Sequence, residues 1–213
     1  AFMDINTDNA LGAANASAER YSAGTPLSML DGVPIAIKSC LAVKGLPHTA
    51  GIKGFKDSIA KGDAHVVIKL RQAGAIILGT TNMDEGALGA MGDNEYFGRC
   101  QNPLVNGFTP GGSSSGSAVA VASGMAMGAI GTDALGSIRI PASYCGIVGF
   151  KPSRNLINTL GLLPFSWTLD TVGTMTRSVG DSFLILSAIL GIPVDNDRLP
   201  NDITGTTIGV PWQ

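Results

Sequence analysis

The chain predicts an α/β fold, a mixed and largely parallel sheet flanked by helices, and three observations lead there. Two short β-branched runs, GVPIAIKS (32–39) and AIILG (75–79), are bracketed by glycine or proline and have the length of buried strands. Between them lies a stretch of helical period, so strand, helix and strand follow one another as a parallel crossover requires. The composition agrees: 45% hydrophobic and 14% charged residues, with 29 glycines, describe much interior and many close backbone approaches.

The elements follow in order. Residues 8–22 set alanines among Asn, Glu and Arg and end before Gly24, which suits a surface helix. The run 32–39 is a strand with Lys38 at its carboxyl end. Asp63 is placed to cap a helix through Val66, Val67, Leu70 and Ala73 that closes at Gly74, and the strand 75–79 follows. A small-residue loop, 111–117, feeds a buried helix at 118–123 and then a strand at 125–131, which puts Met125 and Met127 in the core. A tight turn at 132–136, a short segment at 137–144 and a strand at 146–150 come next. Residues 179–190 read as a helix with Asp181 in its first turn, where the helix dipole favours a carboxylate, and 207–211 read as a further strand.

Charge excludes several classes of partner. The formal net charge is −2 and like charges nowhere run together, so there is no footprint for nucleic acid or an anionic membrane, and small molecules are the expected partners. The longest apolar stretch, 118–130, is interrupted by Ser123, Gly124 and Gly128 and falls short of the roughly 20 residues of a membrane span. Cys40, Cys100 and Cys145 are odd in number and scattered, and AFMDINTDN has no export signature, so reduced thiols and a cytoplasmic location are expected. His48 and His65 have no spaced Cys or carboxylate companions, and neither a metal nor an organic cofactor is expected.

The chemistry concentrates in three glycine-framed places: Lys38 in VPIAIKS, Ser113 in TPGGSSSGS and Ser137 in GTDALGSIRIPA. A serine hydroxyl is a poor nucleophile until a base takes its proton. Neither histidine sits in a glycine-rich or strand-end context, so a lysine base is the economical alternative. Such a lysine must be neutral, and burial at the end of an apolar strand lowers an ammonium's hold on its proton. A nucleophile on a sharp turn also lets neighbouring backbone N–H groups converge on the oxygen of a tetrahedral intermediate.

The stretch 110–153, PGGSSSGSAVAVASGMAMGAIGTDALGSIRIPASYCGIVGFKPS, resembles the defining signature of the amidase signature family, and DGVPIAIKS (31–39), GTTNMDE (79–85) and LDTVGTMTRSVGD (169–181) resemble segments that flank it. The resemblance implies a Ser, cis-Ser, Lys triad: Ser137 as the acylated nucleophile, Ser113 as the bridging serine after a cis peptide bond, and Lys38 as the base. It implies an oxyanion hole from the backbone N–H groups of Ala134, Leu135, Gly136 and Ser137; Asp133, Ser114 and Arg139 are expected in the layer behind it. Asp133 is expected to tie down the turn or to cap a helix, and Arg139 to form a structural ion pair. Relatives carry threonine and glycine where this chain has Ala134 and Leu135; a leucine forced to positive φ would cost about 1–2 kcal/mol, and its side chain would narrow an acyl pocket.

Members of the family are roughly twice as long, so residues 1–213 are expected to be one amidase signature domain, incomplete at both ends. The activity implied is amidohydrolysis of a small linear carboxamide. Two alternatives stand beside it: the glutaminase A subunit of a tRNA-dependent amidotransferase, or a catalytically impaired scaffold or binding module. The assemblies implied are a homodimer or, in the amidotransferase case, a complex with partner subunits.

Overall fold

The computed structural model describes residues 1–194, 204–207 and 209–210. Six strands form one mixed sheet: β1 (Phe2–Ile5), β2 (Pro34–Lys38), β3 (Ile76–Thr81), β4 (Gly128–Asp133), β5 (Val148–Phe150) and β6 (Thr171–Thr176), in the order β1-β3-β2-β4-β6-β5. The centre is parallel, with β2 between β3 and β4; the flanks, β1 on β3, β6 on β4 and β5 on β6, are antiparallel. Among the described residues five α-helices accompany it: α1 (Thr7–Ser22), α2 (His65–Gln72), α3 (Ser115–Ala122), α4 (Arg139–Tyr144) and α5 (Val179–Leu190).

The strand period of two explains the layers. Ile35 and Ile37 of β2 join Leu70 of α2 and Ile185 and Ile189 of α5 in one core, while Ala36 between them faces a second core with Ala118, Val119 and Val121 of α3. Small residues on the second face let α3 lie close to the sheet. Lys38 has the parity of Ala36 and so belongs to the α3 side, although its neighbours along the strand are wholly apolar.

Several expectations change. The strand after α3 begins at Gly128 rather than 125, so Met125 and Met127 fall in the preceding turn and are half-exposed, not core. Asp63 does not cap α2: Ala64 holds that position without a side-chain bond, and Asp63 instead accepts the Lys44 N–H and pairs with Arg71 at 2.9 Å. Helix α3 opens at Ser115, three residues earlier than the apolar run suggests. Strands β1 and β6 have no counterpart among the expected elements. The strand expected at 207–211 lies partly outside the described residues, and Thr207, Gly209 and Val210 carry no strand. Among the described residues no helix is long and apolar enough to cross a membrane.

Candidate active site

Because β2 and β4 are parallel neighbours, their carboxyl ends emerge on the same edge of the sheet, the edge where open α/β folds bind ligands. Lys38 ends β2, Thr132 and Asp133 end β4, and the Ser113–Ser114 pair leads into α3 just above them. The Gly112–Ser113 peptide bond is cis.

Lys38 and Ser113 are fully buried. Lys38 Nζ lies 2.8 Å from Ser113 Oγ, 2.9 Å from Thr132 Oγ1 and 3.4 Å from the Thr132 carbonyl oxygen. None of the ion pairs among the described residues includes Lys38. Burial therefore lowers its pKa below the usual lysine value, opposed only by the more distant Cys40, Asp84, Asp133 and Asp170. The Cys40 thiol is pushed up by burial, opposed by Lys38 and by its contact with Thr132, so it does not supply a thiolate counter-charge at neutral pH.

Ser114 binds the neighbouring pieces together. Its N–H donates to the Ser137 carbonyl at 3.1 Å, its hydroxyl donates to the Thr132 carbonyl at 3.2 Å, and the hydroxyl oxygen accepts the Thr132 N–H at 3.4 Å. Ser137 is thereby held against the Ser113 segment, half-buried, with a hydroxyl that makes no hydrogen bond among the described residues. It lines a cavity of about 320 Å³ together with Thr132, Ala134, Leu135, Ile140, Phe165, Asp170 and the segment from Ala87 to Ala90. Asp170 is the one ionisable residue on that wall among the described residues, and one of its oxygens accepts the Phe165 and Ser166 N–H groups.

The turn carrying Ser137 is built around Asp133. This fully buried carboxylate accepts the N–H of Gly136 at 2.7 Å, of Ile138 at 3.1 Å and of Arg139 at 3.4 Å, and it holds the Arg139 guanidinium through both oxygens at 3.0 Å. Burial alone would raise its pKa, but Arg139 and the amides of Ile138 and Gly136 outweigh that and hold the carboxyl below the usual range. The φ of +135° at Gly136, with a Cβ position 2.7 Å from Ile140 Cδ1, admits only glycine there.

Asp133 also takes one expected donor out of play. The Gly136 N–H is spent on the carboxylate, which leaves the amides of Ala134, Leu135 and Ser137 without a protein acceptor among the described residues. Leu135 is not among the positive-φ residues, so it carries no left-handed strain; its side chain is 75% exposed at the cavity wall.

Two contributors escape the sequence reading. The sequence marks Thr132 only as the start of a turn, and Asp84, within GTTNMDE, has no role there. Asp84 is buried and accepts the Met91 and Gly92 N–H groups at 3.0 and 2.8 Å, which pins the segment after the cavity-lining 87–90; burial raises its pKa against those bonds. The two histidines and Cys145 lie outside the site: His48 Nε2 lies 2.8 Å from the Cys40 carbonyl, His65 Nδ1 has no hydrogen-bond partner among the described residues, and the Cys145 thiol, pushed up to about 11 by burial and then by Cys100, is 3.5 Å from the Pro110 carbonyl. No group of three His, Cys, Asp or Glu residues that could hold a metal ion occurs among the described residues.

Comparison with known proteins bears on this arrangement. The family model for Amidase matches residues 1–205. The A subunit of glutamyl-tRNA(Gln) amidotransferase from Anaeromyxobacter sp. (strain K) is 43% identical over 207 residues, which is 97% of this chain and 41% of that protein. Among solved structures, native peptide amidase from Stenotrophomonas maltophilia superimposes with a TM-score of 0.85 at 36% identity over 95% of this chain and 43% of that one. The glutamyl-tRNA(Gln) amidotransferase A subunit from Thermotoga maritima gives a TM-score of 0.72 at 38% identity, covering 74% of this chain and 35% of its own. The chain thus spans less than half the length of these relatives. With the match running through the strands, the glycine-framed turns and the helices that position Lys38, Ser113 and Ser137, the chain belongs to the amidase family.

Proposed function

We propose that this chain carries the acylating centre of an amidohydrolase acting on a linear carboxamide, with Ser137 as nucleophile, Ser113 as proton bridge and Lys38 as base. One observation carries the reading: a lysine with no solvent exposure and no ion pair among the described residues, its amine 2.8 Å from a serine whose neighbour is hydrogen-bonded to the Ser137 main chain. Burial without a counter-charge shifts the amine toward its neutral form, and only that form accepts a proton.

Neutral Lys38 takes the Ser113 proton as Ser113 takes the Ser137 proton, and Ser137 Oγ attacks the carbonyl carbon. The Ser137 hydroxyl closes on Ser113 when substrate is bound, as catalytic hydrogen bonds commonly do. Negative charge on the carbonyl oxygen meets the amides of Ala134, Leu135 and Ser137; losing one such donor costs roughly 3–4 kcal/mol of transition-state stabilisation. The same proton runs back to the leaving amine, and water, activated by the reverse relay, releases the acid. No metal or organic cofactor enters. Leu135, at the cavity wall, narrows the space for the acyl group. The three free, buried thiols support a reducing, cytoplasmic setting.

A second reading is favoured by the names of the relatives: a glutaminase of the amidotransferase type, passing ammonia to partner subunits. Release of ammonia from glutamine only when a co-purifying partner is present would select it. For either reading, a fluorophosphonate adduct mapped by peptide mass spectrometry is expected on Ser137 and lost in Ser137→Ala. Absence of any adduct on the wild type overturns both.

A further inference from the structure

The buried amine has more partners than a relay needs, and their arrangement is selective. Nζ has three hydrogen-bonding directions besides its carbon, and the three oxygens around it come from Ser113 and twice from Thr132. The Thr132 carbonyl can only accept. The Thr132 hydroxyl has an outlet for its own proton in Cys40 Sγ, 3.6 Å away, which frees its lone pairs for the amine. Ser113 Oγ, by contrast, has Lys38 as its one hydrogen-bond partner among the described residues. The accounting therefore closes in one way for a neutral amine: two N–H bonds to the two Thr132 oxygens, and the lone pair toward the Ser113 hydroxyl. Thr132 is itself immobilised, because Ser114 bonds to both its N–H and its carbonyl.

We infer that Thr132 is the positioning residue of the Lys38 amine: its hydroxyl and carbonyl occupy two of the three directions on Nζ, so that the proton exchanged in each turnover enters and leaves only at Ser113. When Ser113 O–H gives up its proton, the N–H formed lies on the same line, and the other two N–H bonds keep their acceptors. No rotation of the amine is needed between acylation and leaving-group protonation. The catalytic part of this inference rests on the relay proposed above; the orientation of the amine does not.

The test uses two variants with measurements on the amine and on the reaction. Thr132→Val keeps the volume and the carbonyl but removes the hydroxyl acceptor; Thr132→Ser restores it. Side-chain ¹⁵N resonances of lysine, assigned with Lys38→Met, report the charge of Lys38 as pH is raised. An acceptor favours the ammonium over the neutral amine, so its loss in Thr132→Val should lower the Lys38 pKa by about one unit, with Thr132→Ser near wild type. Cys40, Asp84, Asp133 and Asp170, the ionisable groups around Lys38, are present in all three proteins, and of these only the Cys40 thiol touches Thr132. In parallel, the acid limb of fluorophosphonate labelling at Ser137 should move down with that pKa in Thr132→Val, while the plateau rate falls about tenfold, and both should recover in Thr132→Ser. An unmoved Lys38 titration overturns the inference, as does a lower plateau with an unmoved acid limb, the pattern of a merely structural role. A wild type that never labels overturns the proposed function instead, while the titration still decides how the amine is held.

Discussion

Asp133→Asn is the perturbation whose consequences the structure specifies most fully. The substitution keeps the shape of the side chain, removes its charge and replaces one acceptor oxygen with an NH2 donor. Whichever oxygen is lost, either the Gly136 N–H, now bonded at 2.7 Å, or the Ile138 N–H, now bonded at 3.1 Å, meets a donor in a fully buried place. A buried donor left unsatisfied costs about 1–3 kcal/mol, and the surviving bonds lose their charge assistance. Arg139, with its side chain 53% exposed, returns to water and adds little. The sum is about 2–4 kcal/mol, or about 4–16 °C in Tm for a chain of this size. Calorimetry measures it, and Arg139→Gln, which leaves the amide bonds in place, should shift Tm by less than about 4 °C. The sign with pH follows from the lowered carboxyl: its contribution is present above the ordinary value of about 3.9 and is lost as pH falls through the folded-state value, so wild type and Asp133→Asn should converge in acid. Because the turn carries Ser137, labelling should slow about tenfold or more. A Tm within about 2 °C of wild type at neutral pH, with unchanged labelling, would refute the reasoning.

Three further outcomes are expected. Leu135→Gly should speed labelling by a branched-alkyl phosphonate relative to a methyl phosphonate by about tenfold, with little change in Tm because Leu135 is mostly exposed; an unchanged ratio removes the idea that leucine narrows the pocket. Gly173→Ala should destabilise by about 1–3 kcal/mol, since its Cβ would lie 2.2 Å from the Phe150 carbonyl oxygen, whereas Gly12→Ala on the exposed side of α1, with nothing within 4 Å, should stabilise by about 0.5–1 kcal/mol; paired chemical denaturation decides, and equal signs would contradict the packing. Lys38→Met should be inactive and, relative to wild type, most stable at low pH: between the lowered folded-state value and the ordinary value near 10.5 the unfolded chain binds a proton at residue 38 that the folded chain has released, so wild-type stability rises with pH across that window and the Tm difference closes, where a constant difference would mean that the pKa of Lys38 is not lowered.

Much of this molecule can be read from local pattern. Helix α5 has the bounds its apolar period gives, and β2 and β3 are the β-branched runs that suggest them. What escapes that reading depends on tertiary partners. Strand β1 is a four-residue edge whose ladder is supplied by β3, and FMDI has no alternation to announce it. Strand β6, TVGTMT, is polar and broken by glycine, yet all six residues are buried because β4 and β5 flank it; its threonines satisfy themselves locally, Thr174 with Ser182 and Thr176 with the Ser178 carbonyl. The methionines at 125 and 127 look like strand because they are apolar, but the chain is still turning there.

The site shows the same division. Lys38, Ser113 and Ser137 stand in glycine-framed segments that the sequence displays, and the fold brings the lysine and the first serine into hydrogen bond with the second alongside. The diversion of the Gly136 amide to Asp133 and the grip of Thr132 on the amine are not legible there, because both depend on where β4 ends relative to β2.

The most direct measurement is the rate of adduct formation at Ser137 in wild type and Lys38→Ala, followed by intact mass over about pH 6 to 9, the span in which a neutral base is distinguished from a charged one. The account requires a wild-type rate that climbs as Lys38 sheds its proton, and a Lys38→Ala rate at least about a hundredfold lower with no such climb. Equal rates in the two proteins across that range would contradict it.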